Sequence, residues 1–276
     1  MHGIAQQQLG RHQLEPAWTI AMRDGIERAI NSPLANKSVE LTIAYYGDLF
    51  LPRAKKNKST DLSNDFTEDN LSDDEQEFLS DAIEEFAETN SQGISNDQKI
   101  RIPGTGLLAR ADKIFGSRAT ALLYIGELRQ VRRYLLEAAI TQETERRVSM
   151  HVTDETRILI GHSLGSIVAF EYVRKNPDFN IELLLTLGSP LGIRMVRKLM
   201  TDPTFAMTGL PPNVGRWVNV YDSADPVACS APLSALWTEA SDFPVNNGSK
   251  PHAVQRYLGK KEAGTPIAEV LGFNIQ

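Results

Sequence analysis

Three side chains in one order could do covalent chemistry in this chain: Ser163, then an aspartate at 222 or 225, then His252. A serine hydroxyl is too weak an acid to attack a carbonyl unaided. It needs a base, and the base needs a carboxylate that orients it and stabilises the imidazolium. Ser163 lies in Gly161-His162-Ser163-Leu164-Gly165. The short apolar run Ile158-Leu159-Ile160 before it reads as a buried strand, and Ile167 to Val173 after it has helical spacing. A strand, a very tight turn and a helix with a serine at the apex need small residues two before and two after it, because the backbone doubles back there. The helix N-terminus beneath the hydroxyl favours developing negative charge. The stretch therefore reads as a nucleophile elbow, against a structural turn with an inert serine.

Only His151 and His252, of five histidines, lie outside the N-terminal segment and the elbow, and only His252 follows the aspartates. His151 reads as a surface residue in a polar connector. Asp225 precedes Pro226, which restricts it to extended backbone and fixes where its carboxylate points. Asp222 stands one residue beyond a strand and could instead cap the turn, so it is the alternative acid. Ser189 lacks a second flanking glycine and an immediate helix and reads as pocket wall. Asp48 reads as a turn residue with a possible view of the site.

These residues need a sheet to hold them. The strand candidates are Val39–Tyr46, Ile158–Ile160, Ile181–Leu187, Trp217–Tyr221 and Phe243–Val245, and the helix candidates are Trp18–Ile30, Arg118–Ile140 and Ile193–Met200. Alternating strands and helices imply an α/β fold with a mostly parallel, doubly wound sheet in one domain over 1–276. Residues 52–116 form an acidic insertion. Ser72-Asp73-Asp74-Glu75 is a capping box, followed by the apolar stripe Phe78, Leu79, Ala82, Ile83 and Phe86. That helix is either a lid over a pocket or a helix packed on the core.

The bulk properties exclude several classes. A net charge of −6 and a pI near 5.5 argue against nucleic acid as a partner. A single cysteine, Cys229, rules out an internal disulfide framework and fits a reducing, cytoplasmic setting. No apolar run reaches the ~18 residues of a membrane span, and there is no signal peptide at the start. The carboxylates of the insertion have no His or Cys at ligand spacing, so neither a metal nor an organic cofactor is expected. Oligomeric state is not readable.

Together, His2-Gly3, Gly161-His162-Ser163-Leu164-Gly165, Thr186-Leu187-Gly188-Ser189-Pro190, Asp225-Pro226-Val227 and the late His252 resemble the α/β-hydrolase superfamily, in particular its lipase- and esterase-type members. The resemblance implies a serine hydrolase that cleaves carboxylic esters of small-molecule, acyl or lipid-like substrates through an acyl-enzyme. Ser163 would be the nucleophile, His252 the base and Asp225 its orienting acid, with an oxyanion hole from the backbone amides of Leu164 and Ile4. His162 would pack beside the elbow. An acyltransferase or thioesterase would use the same triad, and a binding module would keep the scaffold without reacting. The family's His-Gly loop follows a central strand, whereas here only Met1 precedes it. The expectation is that Met1 is the last residue of a truncated N-terminal strand, the alternative being an accidental match in a disordered tail.

Overall fold

The computed structural model describes residues 1–3, 9–34, 39–51, 71–90, 106–200, 210–228 and 232–275. In chain order the elements are α1 (Arg11–Ile30), α2 (Asp73–Asn90), α3 (Leu107–Phe115), α4 (Arg118–Leu136), α5 (Ala138–Ser149), β1 (Ile158–His162), α6 (Leu164–Lys175), β2 (Leu183–Leu187), α7 (Arg194–Leu199), β3 (Trp217–Asp222), β4 (Ala240–Val245), α8 (Val254–Leu258) and α9 (Lys261–Val270). The four strands lie side by side in the order β1-β2-β3-β4, all parallel.

A parallel sheet covered by helices buries both faces, so its central strands are apolar without alternation. In β2 and β3, Leu183, Leu185, Leu187, Val218 and Val220 point to one side and pack with α1, α8 and α9. Leu184 and Trp217 point to the other, toward α4 and α6, where Phe170 and Trp237 pack around the Trp217 ring. Each fully buried Leu or Val contributes on the order of 2 kcal/mol, and this two-sided burial holds the strands' C-terminal ends in fixed register. At those ends the chain delivers Ser163 after β1, Ser189 after β2, Asp222 and Asp225 at β3, and His252 after β4. Open α/β sheets bind ligands at this edge.

Two expectations need correction. Val39–Tyr46 forms no strand among the described residues. The outer edge of β1 is bonded instead to Met1, whose amine donates to the Ile160 carbonyl at 2.7 Å and whose carbonyl accepts from the His162 N–H at 3.1 Å. Next to Met1, a groove of about 340 Å³ is lined by Val39–Ala44 on one side and Ile158–Ile160 on the other. Second, the single helix expected over Arg118–Ile140 is two. The chain leaves helical geometry at Glu137 (φ −91°, ψ 97°), and Thr141 Oγ bonds the Tyr134 carbonyl that the break releases. The bend lets α5 pack on α6 while α4 stays against α2 and α3.

Of the insertion, residues 71–90 and 106–116 are described, and the expected loops at 52–70 and 91–105 lie outside the described residues. Helix α2 starts where its capping box predicts, with Ser72 Oγ accepting from the Glu75 N–H at 3.3 Å. Its stripe is buried: Phe78, Leu79, Ala82 and Ile83 join the core shared with α3 and α4, and Phe86 stacks obliquely on Phe115 and Tyr124. No helix among the described residues is long and apolar enough to cross a membrane.

Candidate active site

The elbow has the geometry its glycines require. A Cβ on Gly161 would lie 2.5 Å from the Gly165 carbonyl oxygen and 2.6 Å from Ser166 Cα, so strand and helix touch through bare backbone. Ser163 sits at φ 53°, ψ −127°, a conformation that costs a side-chain-bearing residue on the order of 1–3 kcal/mol. The surroundings hold it there. Its N–H donates to the Leu187 carbonyl at 3.0 Å, and its carbonyl accepts from Ser166 Oγ at 2.6 Å. Leu164 is the first residue of α6, so its N–H has no intrahelical acceptor. Ile4 lies outside the described residues, but Gly3 abuts the elbow closely enough that a Cβ there would be 2.5 Å from Ser163 Cβ.

His252 meets Asp225. Its Nδ1–H donates to Asp225 Oδ2 at 2.7 Å, leaving Nε2 as the other face of the ring. Two further donors hold that carboxylate: the Tyr257 hydroxyl on Oδ2 at 2.7 Å and the Val227 N–H on Oδ1 at 3.0 Å. Burial and the adjacent Asp225 push the Tyr257 hydroxyl's pKa up, so it stays a donor. Asp222 is occupied otherwise. Its oxygens accept from the Ala224 N–H at 2.8 Å and the Asn247 N–H at 2.5 Å, which pins the β3 turn to the loop after β4. The geometry thus joins His252 to Asp225 and gives Asp222 to backbone amides.

Two other buried histidines frame the site without pointing at Ser163 Oγ. The ring of His162 donates from Nε2 to the His252 carbonyl at 2.9 Å and packs edge-on against Trp18. His2 stacks between Tyr45 and Tyr46, and its Nε2 accepts the Tyr46 N–H at 3.2 Å, which assigns the proton to Nδ1. Burial pushes the His2 pKa from its ordinary 6.5 down to about 4. The unfolded chain therefore binds more protons between these values, and stability falls as pH drops from about 6.5 toward 4, by up to ~3 kcal/mol for this residue. His162, also pushed down by burial, adds in the same direction. Denaturant midpoints at pH 7 and pH 4.5 should accordingly lie closer together in His2→Asn than in the wild type. An unchanged gap would mean that His2 is not neutral in the folded protein.

One site residue is invisible to the triad pattern. Glu127 of α4 is fully buried, and its Oε2 accepts the Ser163 Oγ hydrogen at 2.5 Å. Its Oε1 is 3.6 Å from His252 Nε2, an ion-pair distance too long for a hydrogen bond, and Nε2 has no hydrogen-bond partner. Burial disfavours a proton on His252, but Asp225 and Glu127 outweigh it and push the His252 pKa up to about 10. A signal was available in the sequence: Glu127 falls three residues after Tyr124 and four before Val131, on the buried face of α4.

The remaining candidates are structural. Ser189 Oγ accepts from the Leu191 N–H and lies 2.6 Å from Ser166 Oγ, tying the β2 loop to α6. Asp48 pairs bidentately with Arg147 at the surface. His151 is half-buried and lines the groove beside β1. Among the described residues no group of three or more His, Cys, Asp or Glu is arranged to hold a metal ion. Comparison of the chain with protein-family models, with curated proteins and with solved structures finds no match.

Proposed function

We propose that the protein is a serine hydrolase of the α/β-hydrolase type that cleaves carboxylic esters through an acyl-enzyme. The observation that carries this reading is that a serine in a strained strand-to-helix turn and a histidine whose Nδ1 is held at 2.7 Å by a buried carboxylate both face one carboxylate, Glu127, at the C-terminal edge of a parallel sheet. A turn that held an inert serine would relax with glycine at this φ. Retaining serine at a cost of ~1–3 kcal/mol is what a positioned nucleophile requires. In this reading Ser163 Oγ attacks the ester carbon as its proton passes to His252 Nε2 and the carbonyl π pair moves to oxygen. Asp225 orients the ring and stabilises the imidazolium. The Leu164 N–H at the start of α6 receives the oxyanion, and the Ile4 N–H is its proposed second donor. His252 then protonates the departing alkoxide, and water attacking the acyl-Ser163 ester, deprotonated by the same ring, restores the enzyme. Leu164, next to Ser163, shares one buried cluster with Leu191 and Ile193, and this favours an apolar acyl group.

The test is labelling by an uncharged alkyl fluorophosphonate, with the adduct located by peptide mass spectrometry. The expected product is a single phosphonyl group on Ser163, formed with stoichiometric loss of p-nitrophenyl ester hydrolysis. An adduct elsewhere, or none on Ser163 after prolonged exposure, would overturn the assignment. Running the ester reaction with an alcohol or thiol present separates hydrolysis from acyl transfer through the products.

A further inference from the structure

Glu127 has no place in the proposed reaction, yet it binds one of the two atoms that the reaction uses and faces the other. Ser163 and Glu127 are both fully inaccessible to solvent, and His252 is buried with them. The Ser163 hydroxyl carries one hydrogen, and it is donated to Glu127 Oε2. It therefore cannot at the same time be passed to His252. The other carboxylate oxygen faces His252 Nε2, the atom that must accept that proton. We propose that Glu127 is an inhibitory carboxylate that keeps the Ser163–His252 pair in an unreactive resting state, and that catalysis requires its withdrawal with the helical layer formed by α2, α3 and α4. This rests on the reading of Ser163 as the nucleophile.

The charges facing the pair all favour this resting state. Asp225 from the β3 turn and Glu127 from α4 flank the His252 ring, with His162 from β1 4.7 Å away centre to centre and pushed toward neutrality by burial. Tyr257 of α8 faces Asp225 and Tyr46 faces Glu127, and both hydroxyls are held protonated, chiefly by burial. Two anions around one imidazole retain its proton, and an imidazolium cannot act as the base. Withdrawal has a mechanical handle at the rim of the layer. Glu85 of α2 accepts the Arg194 and Met195 N–H groups of α7, outside the layer, at 2.7 and 3.3 Å. These polar links are partly exposed and can exchange with water or with a bound substrate.

The experiment compares second-order rates of Ser163 labelling by an uncharged fluorophosphonate in the wild type, Glu127→Gln and Glu127→Ala between pH 5 and 10, with Ser163→Ala as the background. Both Glu127 variants should label at least ~10-fold faster than the wild type at pH 7, with the midpoint of the rate profile moved to lower pH. The wild-type rate should keep climbing through the alkaline range toward pH 10. Variants that fold but label at or below the wild-type rate overturn the proposal. If neither variant folds, a wild-type rate that is already level above pH 7 overturns it alone. Labelling absent from Ser163 in all three proteins is the failure of the nucleophile reading itself, whereas equal rates are the failure of the inhibitory role only.

Discussion

Replacing Ser163 with alanine should lower ester turnover by about 10⁴-fold or more, because in the proposed reaction its hydroxyl forms the acyl-enzyme. The same variant reports on the elbow's strain. Ser163→Ala keeps a Cβ at φ 53°, so the strain of roughly 1–3 kcal/mol stays. It also leaves Glu127 Oε2 without the Ser163 hydrogen, a loss of about 1–3 kcal/mol at a buried charged group. Ser163→Gly loses the same hydrogen bond but relieves the strain, at about 0.5–1 kcal/mol of added unfolded-state entropy. Both variants should be inactive, and the glycine variant should melt above the alanine variant by the equivalent of ~1 kcal/mol. Calorimetry and p-nitrophenyl ester turnover on the two proteins check this. Residual turnover above a hundredth of wild type in either, or a glycine variant melting below the alanine one, would contradict the assignment of Ser163 as a strained nucleophile.

What the chain discloses and what it hides divide along physical lines. The elbow is legible because strand, turn and helix follow one another within a few residues and each imposes its own chemistry: apolar residues at Ile158 to Ile160, glycines at 161 and 165, a buried helix face after them. Helix α2 is legible for the same reason, since the capping bond from Ser72 spans only three residues. The segment at 39–46 has the composition of a strand, but a strand exists only with a partner, and a groove separates it from β1, whose edge bonds Met1 at Ile160 and His162 instead. That competition is between residues far apart in sequence. Glu127 is hidden by the converse effect. A helix pattern is read from its apolar stripe, and a carboxylate on that stripe looks like noise until the turn after β1 brings Ser163 against it.

Exchanging the two aspartate carboxylates for amides, one at a time, should split activity from stability. In Asp225→Asn the three donors around the side chain, His252 Nδ1–H, the Tyr257 hydroxyl and the Val227 N–H, meet one carbonyl oxygen and one NH₂ group. Whichever way the amide turns, a donor faces a donor. If the NH₂ faces His252, the ring must take the tautomer that puts its proton on Nε2, and it can no longer accept from Ser163. If the oxygen faces it, the imidazolium still lacks its counter-charge. Turnover should fall by about 10⁴-fold, roughly 5 kcal/mol in the barrier. In Asp222→Asn one of two backbone donors, Ala224 N–H or Asn247 N–H, loses its acceptor, which costs about 1–3 kcal/mol of stability in a buried turn. His252 keeps Asp225, so the surviving folded protein should turn over within a few-fold of wild type. Initial rates with a p-nitrophenyl ester, normalised to the folded fraction from a denaturant curve, separate the two. The reverse pattern, with Asp222→Asn inactive and Asp225→Asn merely unstable, would move the acid to Asp222 and require the loop after β4 to carry His252 to it.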